Sequence, residues 1–139
     1  MGEGEMMHYK KITGKKARHS RTIAVDFDGV LNSYRTKVGH DKQHLLPDPP
    51  VDGALEWVTE LLKHFNVVVF TCRASFPQGK EAIETWLEKH GFPALPVTSE
   101  KPIAHAYVDD RAIPFDNTGY PSVEYLSNFL PWNRRMNNG

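Results

Sequence analysis

The sequence predicts an α/β fold built on a mostly parallel sheet. Short β-rich runs alternate with amphipathic helical segments along the chain. One run, residues 66–71 ("NVVVFT"), is almost wholly apolar, the look of a strand covered on both faces. The order strand, helix, strand, helix, strand is the one from which right-handed crossovers build parallel sheets.

The elements follow in order. Residues 22–27 ("TIAVDF") are a short β-rich run, and a polar loop after them closes on a proline cluster. Residues 51–65 place Ala54, Leu55, Val58, Leu61, Leu62 and Phe65 on one helical face. Residues 66–71 make the second strand. In the segment 75–91, Ser75 is the expected N-cap, Pro77 falls in the first turn, Gln78 takes the capping-box position and Gly91 follows the end. Residues 94–99 and 103–110 are the third and fourth strands, and 113–115 ("IPF") a short fifth. A last helix starts near Ser122 and stops at Pro131. Trp57 and Trp86 are expected on helix faces packed against the sheet, and His105 in the core. Trp132 has no role that the sequence explains.

A chain of 139 residues is expected to form one principal domain, with residues 1–21 as a basic, flexible arm and 22–139 as the folded body. A hydrophobic share of 40% and a charged share of 24% are ordinary for a globular protein and exclude a fibrous or wholly disordered class. Formal net charge is zero, yet residues 8–21 hold six Lys/Arg and no acid. The remainder from residue 22 has eleven Lys/Arg against fifteen Asp/Glu, a net charge of −4. Such a basic run is either solvated or turned towards nucleic acid. The single cysteine, Cys72, excludes an internal disulfide and a Cys-rich metal cluster, and is expected to be a small buried residue. No apolar run approaches a membrane span, and residues 1–21 lack the apolar segment expected of a secretory signal. The expected setting is cytoplasmic.

In a parallel α/β sheet, ligands bind outside the carboxyl ends of the strands. There the first strand delivers Asp26 and Asp28, and the second delivers Thr71, with Arg73 two residues later. Lys101 precedes the fourth strand, which ends on Asp109 and Asp110. A carboxylate at a buried strand end is costly unless positive charge meets it. Four carboxylates on one rim call for a cation. Hard oxygen ligands without sulfur or paired histidine suit Mg²⁺, which keeps waters and shares its sphere with a phosphate.

"DFDGVL", "FTCR", Lys101 and "VDD" resemble, in order, the four motifs of the haloacid dehalogenase-like superfamily of phosphohydrolases, over residues 23–110. In particular, the chain is similar to the small bacterial and phage members. The resemblance implies a three-layer Rossmann-like sandwich with no large cap domain and a flap-like loop at 30–50, where Tyr34, Arg35, Lys37, His40 and His44 lie. It also implies roles. Asp26 is the nucleophile that forms an aspartyl-phosphate. Asp28 is general acid and then general base. Thr71 bonds a phosphoryl oxygen, Lys101 neutralises charge at the nucleophile and phosphoryl group, and Arg73 contacts substrate. Mg²⁺ is held by Asp26, the backbone carbonyl of Asp28 and Asp109, with Asp110 close behind through water. Aspartate at position 28 points to phosphate-ester hydrolysis, because dehalogenases and P-type ATPases of the superfamily lack it. An open site suits a bulky substrate, such as a polynucleotide 3′-phosphate or a phosphoprotein, as well as small esters, and the basic arm inclines slightly towards a nucleotide or polynucleotide phosphate.

Taken singly, each motif has a plainer reading: "DFDG" as a turn, Thr71 as a β-former, Lys101 as a surface lysine, "DDR" as a surface ion-pair cluster. Two other function classes compete. A non-catalytic phosphoacceptor, like a signalling receiver domain, combines the same residue types with Mg²⁺, but carries its acidic pair on the first strand, whereas here the pair comes last. A degenerate binding module keeps the fold without activity, and intact Asp26, Asp28, Lys101 and Asp109 count against it.

Overall fold

The computed structural model describes residues 21–134. Four strands, β1 (Thr22–Val25), β2 (Asn66–Phe70), β3 (Val97–Thr98) and β4 (Ala106–Val108), form one sheet in the order β3-β2-β1-β4. Every pairing is parallel, with Val25 opposite Val69 on one side and Val108 on the other. Three α-helices lie wholly within the described residues, α1 (Ala54–Leu61), α2 (Gly79–Lys89) and α3 (Val123–Ser127), and residues 132–134 are helical as well. Short 3₁₀ turns occupy His40–Lys42 and Cys72–Ser75. No helix of the described residues is long and apolar enough to cross a membrane.

β1 lies inside the sheet, and its consecutive residues Ile23, Ala24 and Val25 are all buried. Successive strand side chains point to opposite faces, so both faces of β1 are covered. Its neighbours in the core are Val67 and Val69 of β2, Ala54 and Val58 of α1, and Ile83, Trp86 and Leu87 of α2. Each fully buried aliphatic side chain of this kind contributes roughly 1.5–3 kcal/mol. Phe27 and Trp86 meet edge to face, ring centres 5.0 Å apart, which ties the turn after β1 to α2. The expected face of α1 is the one that packs: Leu55, Leu61, Leu62 and Phe65 lie half-buried against this core.

Several expectations need correction. The strand expected at 22–27 ends at Val25, because the Phe27 N–H turns back to Asp26 Oδ1 (2.9 Å) and the Phe27 carbonyl accepts from Leu31 and Asn32. Helix α2 is not capped by Ser75. The Thr71 side chain accepts from the Arg73 N–H and closes a 3₁₀ turn, Ser75 donates to the Cys72 carbonyl at 2.7 Å, and the helix begins only at Gly79. Gly79 lies so close to the Arg73 carbonyl that a Cβ there would collide with it.

The fourth strand, expected at 103–110, shortens to three residues at the sheet edge. Ile103 is 98% exposed, and His105 sits outside the core, stacked on Phe65 and within reach of Arg21. Residues 113–115 form no strand, as suits Pro114, which has no N–H to pair. Trp57 is 36% exposed and Cys72 is exposed, whereas both were expected to be packed. Ser122 does cap α3, accepting from the Tyr125 N–H at 3.0 Å, but that helix ends at Ser127 and not at Pro131. The arm expected over 1–21 lies outside the described residues apart from Arg21.

Candidate active site

β2 and β3 lie on one side of β1 and β4 on the other, so the sheet changes its direction of growth between β1 and β4. A crevice opens at the strand ends of such a switch point. Asp26 follows β1 directly, and its N–H continues the ladder by donating to Val108 at 2.9 Å. Asp109 and Asp110 follow β4. One carboxylate oxygen from each of Asp26, Asp109 and Asp110 lies within 4.8 Å of the others.

These three acids have less compensation than Asp28: Arg111 acts on Asp110 only as a weaker influence than burial, and its backbone N–H donates to Asp109 Oδ1 at 2.8 Å. Asp110 Oδ1 is buried with no hydrogen-bond partner. Burial first, then the charge of Asp109, pushes the Asp26 carboxyl up to about 8, although the Phe27 N–H pulls the other way. Burial also raises Asp110. Like charges crowded in a poorly solvated place either take up protons or take up a cation. An orphaned oxygen among hard carboxylate donors fits Mg²⁺. Gly29, at φ +85°, permits the crowding, since a Cβ there would run into the Asp110 carboxylate.

Asp28 has the opposite surroundings. Arg73 Nε donates to both of its carboxylate oxygens, at 3.1 and 2.9 Å, and Asn32 Nδ2 donates to Oδ1 at 2.9 Å. Arg73 is 2% exposed, and its Nη1 donates to the Gln43 carbonyl at 2.7 Å. The Tyr34 ring lies near the guanidinium carbons of Arg73 (5.7 Å) and Arg134 (5.1 Å). Arg73, expected to contact substrate, stands behind Asp28 as its counter-charge and is not among the residues that line the cavity above this rim.

A cavity of about 320 Å³ opens over this rim. Asp26, Asp28, Thr71, Asp109 and Asp110 line it together, as the sequence led one to expect. Thr71 is buried and accepts from the Arg73 N–H, which leaves its hydroxyl proton for an acceptor in the cavity. Lys101 is not among the lining residues: it is exposed, with Nζ 4.8 Å from the centre of the Tyr107 ring. A roomier hollow of about 560 Å³, between His44, Leu46 and α2, holds no converging acids.

Tyr34, Gln43, Arg111 and Asn133 also line the cavity, and sequence reasoning gave them no place there or only a weak one. Arg111 could have been found from its position beside the acidic pair. Gln43 and Asn133 carry no local signal, because loops distant in sequence bring them in. The loop at 30–50 is tied down at several points. Ser33 donates to the Pro49 carbonyl at 2.7 Å, the Thr36 hydroxyl to Asp48 at 2.9 Å, and Trp86 Nε1 to the Asp48 carbonyl at 3.0 Å. No protein-family model matches the chain, and neither does any curated protein or solved structure.

Proposed function

We propose that the chain is a Mg²⁺-dependent phosphatase of the haloacid dehalogenase-like kind, a Rossmann-like three-layer domain without a large cap. In this reading it hydrolyses a phosphate monoester through an aspartyl-phosphate on Asp26. The observation behind it is the pairing, in one cavity, of a crowded acid cluster (Asp26, Asp109, Asp110) with an ion-paired acid, Asp28.

Asp26, Asp109 and the Asp28 backbone carbonyl would hold Mg²⁺, with Asp110 behind. When bound, the ion supplies the positive charge that lets a carboxylate approach a phosphate dianion. An Asp26 oxygen forms a bond to phosphorus as the ester P–O bond breaks, and Asp28, which has to enter this step protonated, gives that proton to the departing oxygen and regains one in the next step. Asp28 then takes a proton from a water whose oxygen attacks phosphorus, releasing inorganic phosphate and restoring Asp26. Arg73 and Asn32 fix the direction of the Asp28 carboxylate through both steps. The Thr71 hydroxyl donates to a phosphoryl oxygen.

Lys101 is proposed to serve the phosphoryl group from outside the present lining. Its contact with Tyr107 is worth about 0.5–1 kcal/mol at an exposed site, less than a charge-assisted bond to phosphate offers at about 1.5–3 kcal/mol. In this proposal the long Lys101 side chain exchanges the ring contact for the dianion, while Arg111 already lines the cavity. The open rim suits a nucleotide or polynucleotide phosphate as well as a small ester, and a cytoplasmic setting accords with the single free cysteine.

The test is release of p-nitrophenol from p-nitrophenyl phosphate with Mg²⁺, then with excess EDTA. Turnover that EDTA abolishes is expected, with Asp26→Asn lowering kcat by more than about 10³-fold and Lys101→Ala lowering kcat/KM by about 10²-fold. No EDTA-sensitive release from this ester or from a broad panel of phosphate monoesters would refute the proposal.

A further inference from the structure

Trp132 lies 103 residues from the turn after β1, yet its indole Nε1 donates to the Gly29 carbonyl at 2.7 Å. We infer that Trp132 is a positioning residue for the metal side of the active site, acting through the peptide units that flank Gly29. The inference rests on the phosphatase reading.

Gly29 is where the turn is most easily deformed. Its φ of +85° is open to glycine at little cost, and glycine resists rotation less than any other residue. The peptide unit before it carries the Asp28 carbonyl, one of the proposed metal ligands. That unit is fixed from its other end, because the Gly29 N–H donates to the Asn32 carbonyl at 2.8 Å. The peptide unit after it is fixed by Trp132. Two hydrogen bonds thus hold both planes around the one residue that has no side chain to anchor it.

The consequence reaches Asp110 as well. Its carboxylate rests in the space left by the missing Gly29 Cβ, so a shift of that backbone displaces it. The next residue supports the same arrangement. Asn133 is buried, lines the cavity and donates from Nδ2 to the Tyr34 carbonyl at 3.2 Å. The segment Pro131–Asn133 therefore reaches two carbonyls, Gly29 in the first-motif turn and Tyr34 in the loop that follows it.

The test compares the full-length chain with Trp132→Phe, which keeps an aromatic ring but removes the donor, and with Trp57→Phe as a control on α1. Mg²⁺ affinity is measured by titration calorimetry, and kcat and KM on p-nitrophenyl phosphate. The loss of one neutral hydrogen bond corresponds to a factor of about 2–10. Trp132→Phe is expected to weaken Mg²⁺ binding and lower kcat by about that factor, with KM for the ester nearly unchanged and the melting temperature within a few degrees of wild type. Trp57→Phe should change neither. Unaltered Mg²⁺ affinity and kcat in Trp132→Phe would overturn the inference, as would a loss matched by unfolding. Wild-type protein that binds no Mg²⁺ would remove the metal-site reading and this inference with it. Mg²⁺ binding without turnover would instead count against the phosphatase chemistry alone, because calorimetry still decides the role of Trp132.

Discussion

The two sides of the cavity treat carboxylates in opposite ways. On one side Asp28 has a buried guanidinium bonded to both oxygens and an amide on one of them. On the other, Asp26, Asp109 and Asp110 crowd within 4.8 Å with one oxygen orphaned. The same fold thus gives one acid a buried ion pair of its own and leaves the three others crowded, with only backbone N–H groups and the nearby Arg111 against their charge. A group that must keep its direction through a reaction benefits from a permanent partner. Under the proposed function, the acids left crowded are the ones that would bind the ion.

The sharpest way to break this contrast is to remove the permanent partner. Arg73→Met should strip Asp28 of its counter-charge and leave Gln43 without its donor. Removing one member of a buried ion pair costs roughly 3–5 kcal/mol, the lower end applying here because the Asp28 side chain keeps 22% exposure. Urea unfolding would measure the loss. A variant as stable as wild type would mean that the pair carries no such weight.

A smaller effect of opposite sign is expected on the metal side. With the folded-state carboxyl of Asp26 raised to about 8 from an ordinary value of 3.8, the folded chain holds a proton that the unfolded chain releases. Without a cation, stability therefore falls as pH rises between those two values. Asp26→Asn carries no charge and escapes that fall. In EDTA at pH 8 it should be more stable than wild type by roughly 1–2 kcal/mol, with the difference closing towards pH 4. Thermal melts at the two pH values would check it, and a destabilised variant at pH 8 would contradict the picture of crowded acids.

Much of this site was legible because one rule fixes where parallel strands end. Once residues 22–27 and 103–110 read as strands, Asp26, Asp109 and Asp110 had to share a rim, and they do. What the sequence hid was set by distant contacts. Arg73 turns inward because the Gln43 carbonyl, 30 residues earlier, waits for its Nη1. Trp132 and Asn133 reach carbonyls 103 and 99 residues away, and no local pattern encodes such a span. Apolar composition likewise failed to tell an edge strand from a central one. "IAHAYV" has the residues of a core strand, but β4 pairs on one side only among the described residues, and Tyr107 stays 41% exposed. Ser75 looked like a cap, and the Thr71 side chain pre-empted it by closing the earlier turn.

Calorimetric titration of Mg²⁺ into the wild-type chain and into Asp109→Asn tests the central claim most directly. Saturable one-site binding in the wild type, weakened at least about tenfold by the substitution, is the expected result. Equal binding by both proteins, or none by the wild type, would contradict the reading of these acids as a cation site.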